Sequence, residues 1–333
     1  MADPLRGTIV KALSGFYYVR TRGGGLCGVI GPREPREPCE PLEPREHVYQ
    51  CRARGLFKKE GISPLVGDDV VIDVLDDEDG FITEILPRRN SFIRPSVANI
   101  DLFVATVSVR DPKPNAEVLD RFLVTAEASS AEAVICVNKI DLGPADALMA
   151  TYGGIYGALP VSARTGEGMD ALRDRLAGKR AAFAGPSGVG KSSIINLLLG
   201  EGAGGIETGD VSRKTGRGKH TTRHVELFDT GFGAELFDTP GYTSFDGAQP
   251  GPAATLGTLF PEIAELSAGC RFDDCVHADE PGCAVREAAA AGVISGGRYG
   301  SYLRMLDEAN TNANANTNTN MNANKGSQKR KAR

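Results

Sequence analysis

Gly185-Pro186-Ser187-Gly188-Val189-Gly190-Lys191-Ser192 decides the fold of this chain. The stretch reads G-x-x-x-x-G-K-S, the spacing of a loop that cradles phosphates. Before it, Arg180-Ala181-Ala182-Phe183-Ala184 is short and apolar and predicts a buried strand. After it, Ser193-Ile194-Ile195-Asn196-Leu197-Leu198-Leu199 has the apolar spacing of a helix, with Gly200 as its stop. Strand, glycine loop and helix are what the chemistry needs. Glycines let backbone N–H groups close on phosphate oxygens, and the helix N-terminus adds positive potential. Lys191 then reaches the β- and γ-phosphates, Ser192 ligates magnesium, and Ser193 joins the nucleotide-binding set. A glycine turn without function would not need both flanking elements.

Upstream, the apolar run Ala133–Val137 leads directly into Asn138-Lys139-Ile140-Asp141, an N-K-x-D sequence. A carboxylate at Asp141 can accept two hydrogen bonds from guanine N1–H and the exocyclic amine. Adenine offers no such donor pair, so a buried Asp141 would stay unpaired beside it. Lys139 can lie along the base. Asn138 can bind the base or tie loops together. Ser162-Ala163, after the strand-like Ala158–Val161, matches the short loop that backs a guanine. Downstream, Asp238-Thr239-Pro240-Gly241 is D-x-x-G. Asp238 is expected to hold magnesium through water, and the Gly241 N–H to sense the γ-phosphate. Thr221 or Thr222 can close on the metal when that phosphate is present, and Thr222 completes the magnesium set with Ser192 and Asp238.

The order of these elements is unusual. N-K-x-D and S-A precede the phosphate loop here, whereas ordinary small GTPases place them last. All five are present, so the sheet is circularly permuted and not truncated. Strands alternating with helices predict a largely parallel sheet covered on both faces, over residues 98–245.

With that order, with Arg217-Gly218-Lys219-His220-Thr221-Thr222-Arg223-His224-Val225-Glu226-Leu227, and with a Cys/His cluster near the end, the chain resembles the ribosome small-subunit-dependent GTPase A family (RsgA, also called YjeQ). The resemblance covers roughly residues 5–308. It implies an N-terminal OB domain, a permuted GTPase domain and a C-terminal zinc domain. It also implies binding to the small (30S) ribosomal subunit and its 16S rRNA, and a part in late maturation of that subunit. Composition alone would not name RNA as a partner. The expected reaction is GTP to GDP and phosphate; the competing expectation is a GTP-binding rRNA scaffold without turnover. An ATP-using kinase is disfavoured by Asn138 and Asp141.

Many GTPases orient the attacking water with a Gln after D-x-x-G. Here that position is Tyr242. Slow intrinsic hydrolysis is therefore expected, faster once the subunit orders the switch segments. His220, beside the switch threonines, is the candidate to place the water. It could equally contact RNA phosphate or only shape its loop.

Cys270-x4-Cys275-x-His277-x5-Cys283 offers three thiolates and one imidazole, the set for a closed tetrahedral structural zinc site. The compact spacing leaves no open position for a catalytic water. Cys27, Cys39, Cys51 and Cys136 lack such company and are expected to be ordinary small residues.

The ends follow from pattern. About five short strands before residue 90 fit a small OB-type barrel, with a Pro/Glu/Arg-rich insertion at 32–46 expected to be a mobile surface loop. Arg88–Pro95 is a basic connector. Residues 246–309 are expected to form a small helical zinc domain. Residues 310–333, an Asn/Thr/Ala repeat and basic terminus, have nothing to bury and are expected to be disordered. The net charge is −5 with 41% hydrophobic residues, which permits a sizeable core. Basic patches at 211–224 and at the C-terminus stand apart from the acidic excess and suit a phosphate-rich partner. No apolar run approaches the roughly 18 residues of a membrane span. Met1–Arg6 lacks the apolar core of a signal peptide. A cytoplasmic protein, monomeric for want of a heptad pattern, is expected.

Overall fold

The computed structural model describes residues 4–22, 46–55, 57, 61–76, 78–92, 95–200, 225–238 and 253–312. The insertion at 32–45, the basic stretch with His220, Thr221 and Thr222, the positions Gly241 and Tyr242, and the tail from 313 lie outside these described residues. The strands in chain order are β1 (Leu5–Leu13), β2 (Phe16–Arg22), β3 (Glu46–Ala53), β4 (Asp69–Val74), β5 (Asp79–Ile85), β6 (Ser91–Phe92), β7 (Val97–Ala98), β8 (Leu102–Ser108), β9 (Glu132–Asn138), β10 (Ala158–Pro160), β11 (Arg180–Ala184), β12 (Glu226–Asp229) and β13 (Glu235–Asp238). The helices are α1 (Ala116–Ala128), α2 (Asp146–Tyr156), α3 (Met169–Leu176), α4 (Lys191–Leu199), α5 (Pro261–Ser267), α6 (Ala284–Ala290) and α7 (296–312). Two compact units result. One holds Met1–Phe103, Met169–Phe183 and Lys191–Phe245; the other holds Val104–Gly168, Ala184–Gly190 and Asp246–Arg333.

The first unit contains the expected five-stranded barrel. β1 pairs with β2, β2 with β3, β3 with β5, β5 with β4, and β4 returns to β1. Only the β3–β5 contact is parallel. Ile9, Val19, Cys51, Val70, Ile72 and Ile82 are fully buried, the inward set of a period-two alternation. Burying each such aliphatic side chain stabilises the barrel by about 1.5–3 kcal/mol. A bulge between Ile9 and Lys11 bends β1, and beyond it Lys11 pairs with Glu226 of β12. β12 and β13 form an antiparallel pair, and β13 runs parallel to β11. Ser91–Phe92 pairs with Val97–Ala98, and Phe92 is 1% exposed.

The second unit carries the remaining strands in the order β10-β9-β8. All seven residues of β8 are buried, as a central strand of a covered sheet requires. α1 is capped by Asn115, whose side chain accepts from the Val118 N–H. Helix α2 had no sequence signal. Gly153 and Gly154 each cost about 1 kcal/mol in a helix. Tertiary packing overrides that, because Tyr152 and Tyr156 are buried and the Tyr152 hydroxyl donates to Asp120 at 2.9 Å. The C-terminal helices share an apolar core of Leu256, Phe260, Ile263, Val285, Tyr302 and Leu306 that also takes in Val124 of α1. α7 continues to residue 312, into the Asn/Thr-rich segment. No described helix is long and apolar enough to cross a membrane.

Candidate nucleotide site and metal centre

Within the second unit, three sequence motifs converge on one side chain. Asn138 ends β9 and is 1% exposed. Its Nδ2 donates to the Val189 carbonyl of the phosphate loop at 2.8 Å, and its Oδ1 accepts from the Ala163 N–H at 3.0 Å. Both ends of the carboxamide are thus used to fasten the phosphate loop to the S-A loop. Of the two roles open to Asn138, the loop tie is the one made in these hydrogen bonds.

This contact explains the second glycine of the motif. Gly190 has φ +97°, and a Cβ there would lie 2.3 Å from Asn138 Nδ2. Any side chain would therefore break the tie as well as strain the backbone. Gly185 is just as confined, since its Cβ would meet the Thr106 carbonyl oxygen at 2.3 Å.

Asp141 follows in a short 3-10 turn, Ile140–Leu142. Its Oδ1 accepts from the Ser162 hydroxyl at 2.7 Å, and its Oδ2 faces Arg164 Nε at 3.3 Å. Its side chain is only 11% exposed, so the carboxylate is oriented before any base arrives. Lys139 takes a left-handed backbone (φ +66°) and donates from Nζ to the Asp111 carbonyl. Asp111 and Arg164 were not singled out in the sequence. Arg164 sits next to the S-A pair, where the signal was available; no spacing pointed to Asp111.

The first unit holds Lys191, Ser192 and Ser193 at the start of α4, and Asp238 at the end of β13. Burial pushes the Lys191 ammonium down to about 8. A desolvated cation favours an anionic neighbour, the environment a polyphosphate supplies. Burial, and then the charge of Glu226 directly across the β12–β13 ladder, push Asp238 up to about 6. A carboxylate in that position favours a cation beside it.

The metal centre lies in the second unit. The ligand atoms of Cys270, Cys275, His277 and Cys283 all fall within 4.8 Å of one another. Cys270 Sγ and Cys283 Sγ each lie 3.5 Å from His277 Nδ1, and 3.9 Å from each other. A tetrahedral zinc with Zn–S about 2.3 Å and Zn–N about 2.0–2.1 Å requires S···N about 3.6 Å and S···S about 3.8 Å. The four residues therefore fit the ion. Burial and the neighbouring thiols of Cys283 and Cys270 push the Cys275 thiol up to about 12. It takes a metal's charge to hold such thiols as thiolates. The ligand loop is pinned from behind. Glu280 accepts from the Val276 and Ala278 N–H groups, both at 2.9 Å, and the Tyr299 hydroxyl donates to the His277 carbonyl at 2.7 Å. His277 takes φ +59° to aim its ring, and Gly257 faces that ring with no room to spare. Glu280 went unnoticed in the sequence because a lone carboxylate in a ligand loop carries no spacing signal. Cys51 and Cys136 are buried, and burial pushes both thiols up to about 12, which fits unreactive core residues.

Comparison with known proteins agrees with this arrangement. The profile of the RsgA GTPase family matches residues 85–248, and that of the RsgA N-terminal domain matches residues 42–82. A small ribosomal subunit biogenesis GTPase RsgA of Caldanaerobacter subterraneus is 41% identical over 310 residues, which is 92% of this chain and 96% of that protein. Its counterpart RsgA 2 of Listeria monocytogenes is also 41% identical, over 91% of this chain and 97% of its own length. Among solved structures, YjeQ from Thermotoga maritima superposes with a TM-score of 0.72 at 30% identity, covering 92% of this chain and 98% of that one. YloQ, a circularly permuted GTPase, gives a TM-score of 0.72 at 32% identity, covering 93% and 96%.

Proposed function

This chain belongs to the RsgA GTPase family, and from that premise we propose that it binds the small ribosomal subunit through its 16S rRNA and hydrolyses GTP there during late maturation. The observation that carries the nucleotide reading is the double use of Asn138, which locks the guanine-reading loop, the S-A loop and the phosphate loop together.

Asp141, held by Ser162, accepts the guanine N1–H and exocyclic amine. The Ala163 loop backs the base, and Lys139 lies along it. Backbone N–H groups of Gly185, Pro186's successors Ser187 and Gly188, Val189 and Gly190 surround the phosphates, and Lys191 balances their charge. Ser192, Thr222 and Asp238 would hold magnesium, which would supply charge neutralisation at the phosphates. Thr221 and Gly241 report the γ-phosphate, and His220 orients the attacking water. Zinc at Cys270, Cys275, His277 and Cys283 is structural and holds the C-terminal helices in shape. Proposed domain limits are 1–90 for the barrel, 98–245 for the GTPase domain and 246–309 for the zinc domain, in a monomeric cytoplasmic protein.

Phosphate release from GTP and from ATP, with and without purified small subunits, tests the reading. GTP-specific release that rises with subunits is expected. GTP binding without release under either condition would instead identify a scaffold. A general base or water-orienting group contributes roughly 10²–10⁴-fold. His220→Ala is therefore expected to cut subunit-stimulated turnover about 100-fold or more with GTP affinity unchanged. Normal stimulated turnover would remove His220 from that role.

A further inference from the structure

A buried and a partly buried arginine, with two carboxylates, join the barrel to the strand that ends in Asp238, all within the first unit. Glu235, at the start of β13 and 7% exposed, accepts from Arg20 of β2 and from Arg180 Nε of β11 at 2.7 Å. Arg180 also donates from Nη2 to Asp69 Oδ1 of β4 at 2.8 Å and to Thr8 Oγ1 of β1 at 2.9 Å. Its Nη1 reaches the Gly67 carbonyl at 3.2 Å. Every donor group of the Arg180 guanidinium is therefore spent, Nε on β13 and both Nη groups on the barrel side. A second link runs in parallel. Lys11, at the bulged end of β1, pairs with Glu226 of β12 through the ladder and through a 3.0 Å ion pair.

The location gives these contacts their meaning. β12 follows the basic stretch that carries the switch threonines, and β13 leads directly into D-x-x-G. The β12–β13 hairpin thus lies between the two segments that answer to the γ-phosphate, and it is bonded directly to β1 and β2 and, through Arg180, to β4. Exposed charge pairs would be too weak and too screened to transmit anything. Arg20, Arg180 and Glu235 are 8%, 16% and 9% exposed at the side chain, so each is largely withdrawn from solvent and losing a partner is costly. A shift of β13 by about an ångström would exceed what these bonds tolerate, and would therefore move the barrel strands with it or break the cluster.

We propose that Glu235, with Arg180 and Asp69, is a positioning cluster that couples the load on the barrel to the register of Asp238, so that a subunit bound at the barrel favours the hydrolysing arrangement. The inference rests on the reading that the small subunit is the partner. Glu235 and Asp69 touch no nucleotide in this scheme; they act through β13.

The test compares wild type, Glu235→Gln and Asp69→Asn in full-length, zinc-loaded protein. Three quantities are measured: intrinsic GTP turnover, turnover with saturating small subunits, and the ratio of subunit affinities with a non-hydrolysable GTP analogue and with GDP. Couplings between sites are typically about 5–150-fold. Both variants are expected to keep intrinsic turnover and GTP affinity, to lose about tenfold in subunit stimulation, and to bring the affinity ratio toward one. A merely structural role would lower melting temperature without moving that ratio. Asp69 lies at the half-exposed end of the cluster, so Asp69→Asn decides the matter if Glu235→Gln fails to fold. Stimulation and affinity ratio at wild-type values in the folded variants would overturn the coupling while leaving the function intact. An unstimulated wild type would overturn the function reading, and the coupling with it.

Discussion

Replacing Arg298 with Met should unravel the packing between the C-terminal helices and the α/β part of the second unit. Arg298 lies on α7 and is 1% exposed. Its Nη1 donates to Asp120 Oδ1 on α1 at 2.8 Å, and its Nε and Nη2 form a fork with both Glu262 oxygens on α5, at 2.7 and 2.9 Å. The guanidinium also sits 4.7 Å from the Phe260 ring centre and within 5.6 Å of those of Tyr152 and Tyr156. Met keeps the length and the apolar stem but deletes the charge. Asp120, fully buried, and Glu262, largely buried, then lose their cation. Removing one partner of a buried ion pair costs about 3–5 kcal/mol, and the lost ring contacts place this case at the upper end. In a unit of this size about 2–4 °C of melting temperature accompanies each kcal/mol, which gives a fall of roughly 10–20 °C. Calorimetric melting of zinc-loaded protein measures it. A cycle with Asp120→Asn and Glu262→Gln adds the decisive comparison. The triple variant, which leaves no uncompensated charge, should recover part of the loss. A fall worth less than about 1 kcal/mol, or a triple variant worse than the sum of its parts, would refute the view that these carboxylates depend on the guanidinium.

Asp141→Asn is expected to weaken GTP by roughly 100-fold or more and to shift preference toward xanthosine triphosphate, because the donor pair on guanine loses its acceptor; competition binding with the two nucleotides reads this out. Stripping zinc removes a contribution on the order of 10 kcal/mol from the folding of the ligand loop and its helices. Amide exchange should then rise around 270–283 while GTP binding persists, and metal analysis finding no zinc in the purified protein would defeat the assignment. The Lys191 ammonium, held down to about 8 by burial, must be charged to meet a phosphate. Its free-state value lies below that of an ordinary lysine and a bound phosphate raises it, so binding takes up a proton above pH 8. GTP affinity should therefore fall by up to about tenfold per pH unit above 8 and stay level below it. Lys191→Met should bind weakly with no such slope, which titration calorimetry at pH 7, 8 and 9 would show.

Much of this was legible in the order of the residues. The phosphate loop, N-K-x-D, S-A and D-x-x-G each set their chemistry by a few consecutive residue types, so that chemistry can be read without the fold. The same is true of Cys270, Cys275, His277 and Cys283, whose spacing alone places four ligands in one loop. The barrel strands were legible because one face of each is buried and the alternation shows it. Helix α2 was not legible, because its glycines mask a helix that Tyr152 and Tyr156 hold in place from outside.

What only the tertiary structure decided is partnership between residues distant in the chain. That Gly190 must be glycine because Asn138 presses against it, and that Asn138 ties the loops together, follow from a meeting of positions about fifty residues apart. The pairings of Arg180 with Glu235 and Asp69, and of Arg298 with Asp120 and Glu262, leave no periodicity or spacing to find. A charged residue reads the same in a sequence whether water or a buried carboxylate receives it. Only the path of the backbone determines which of the two it meets, and desolvation then makes the meeting count.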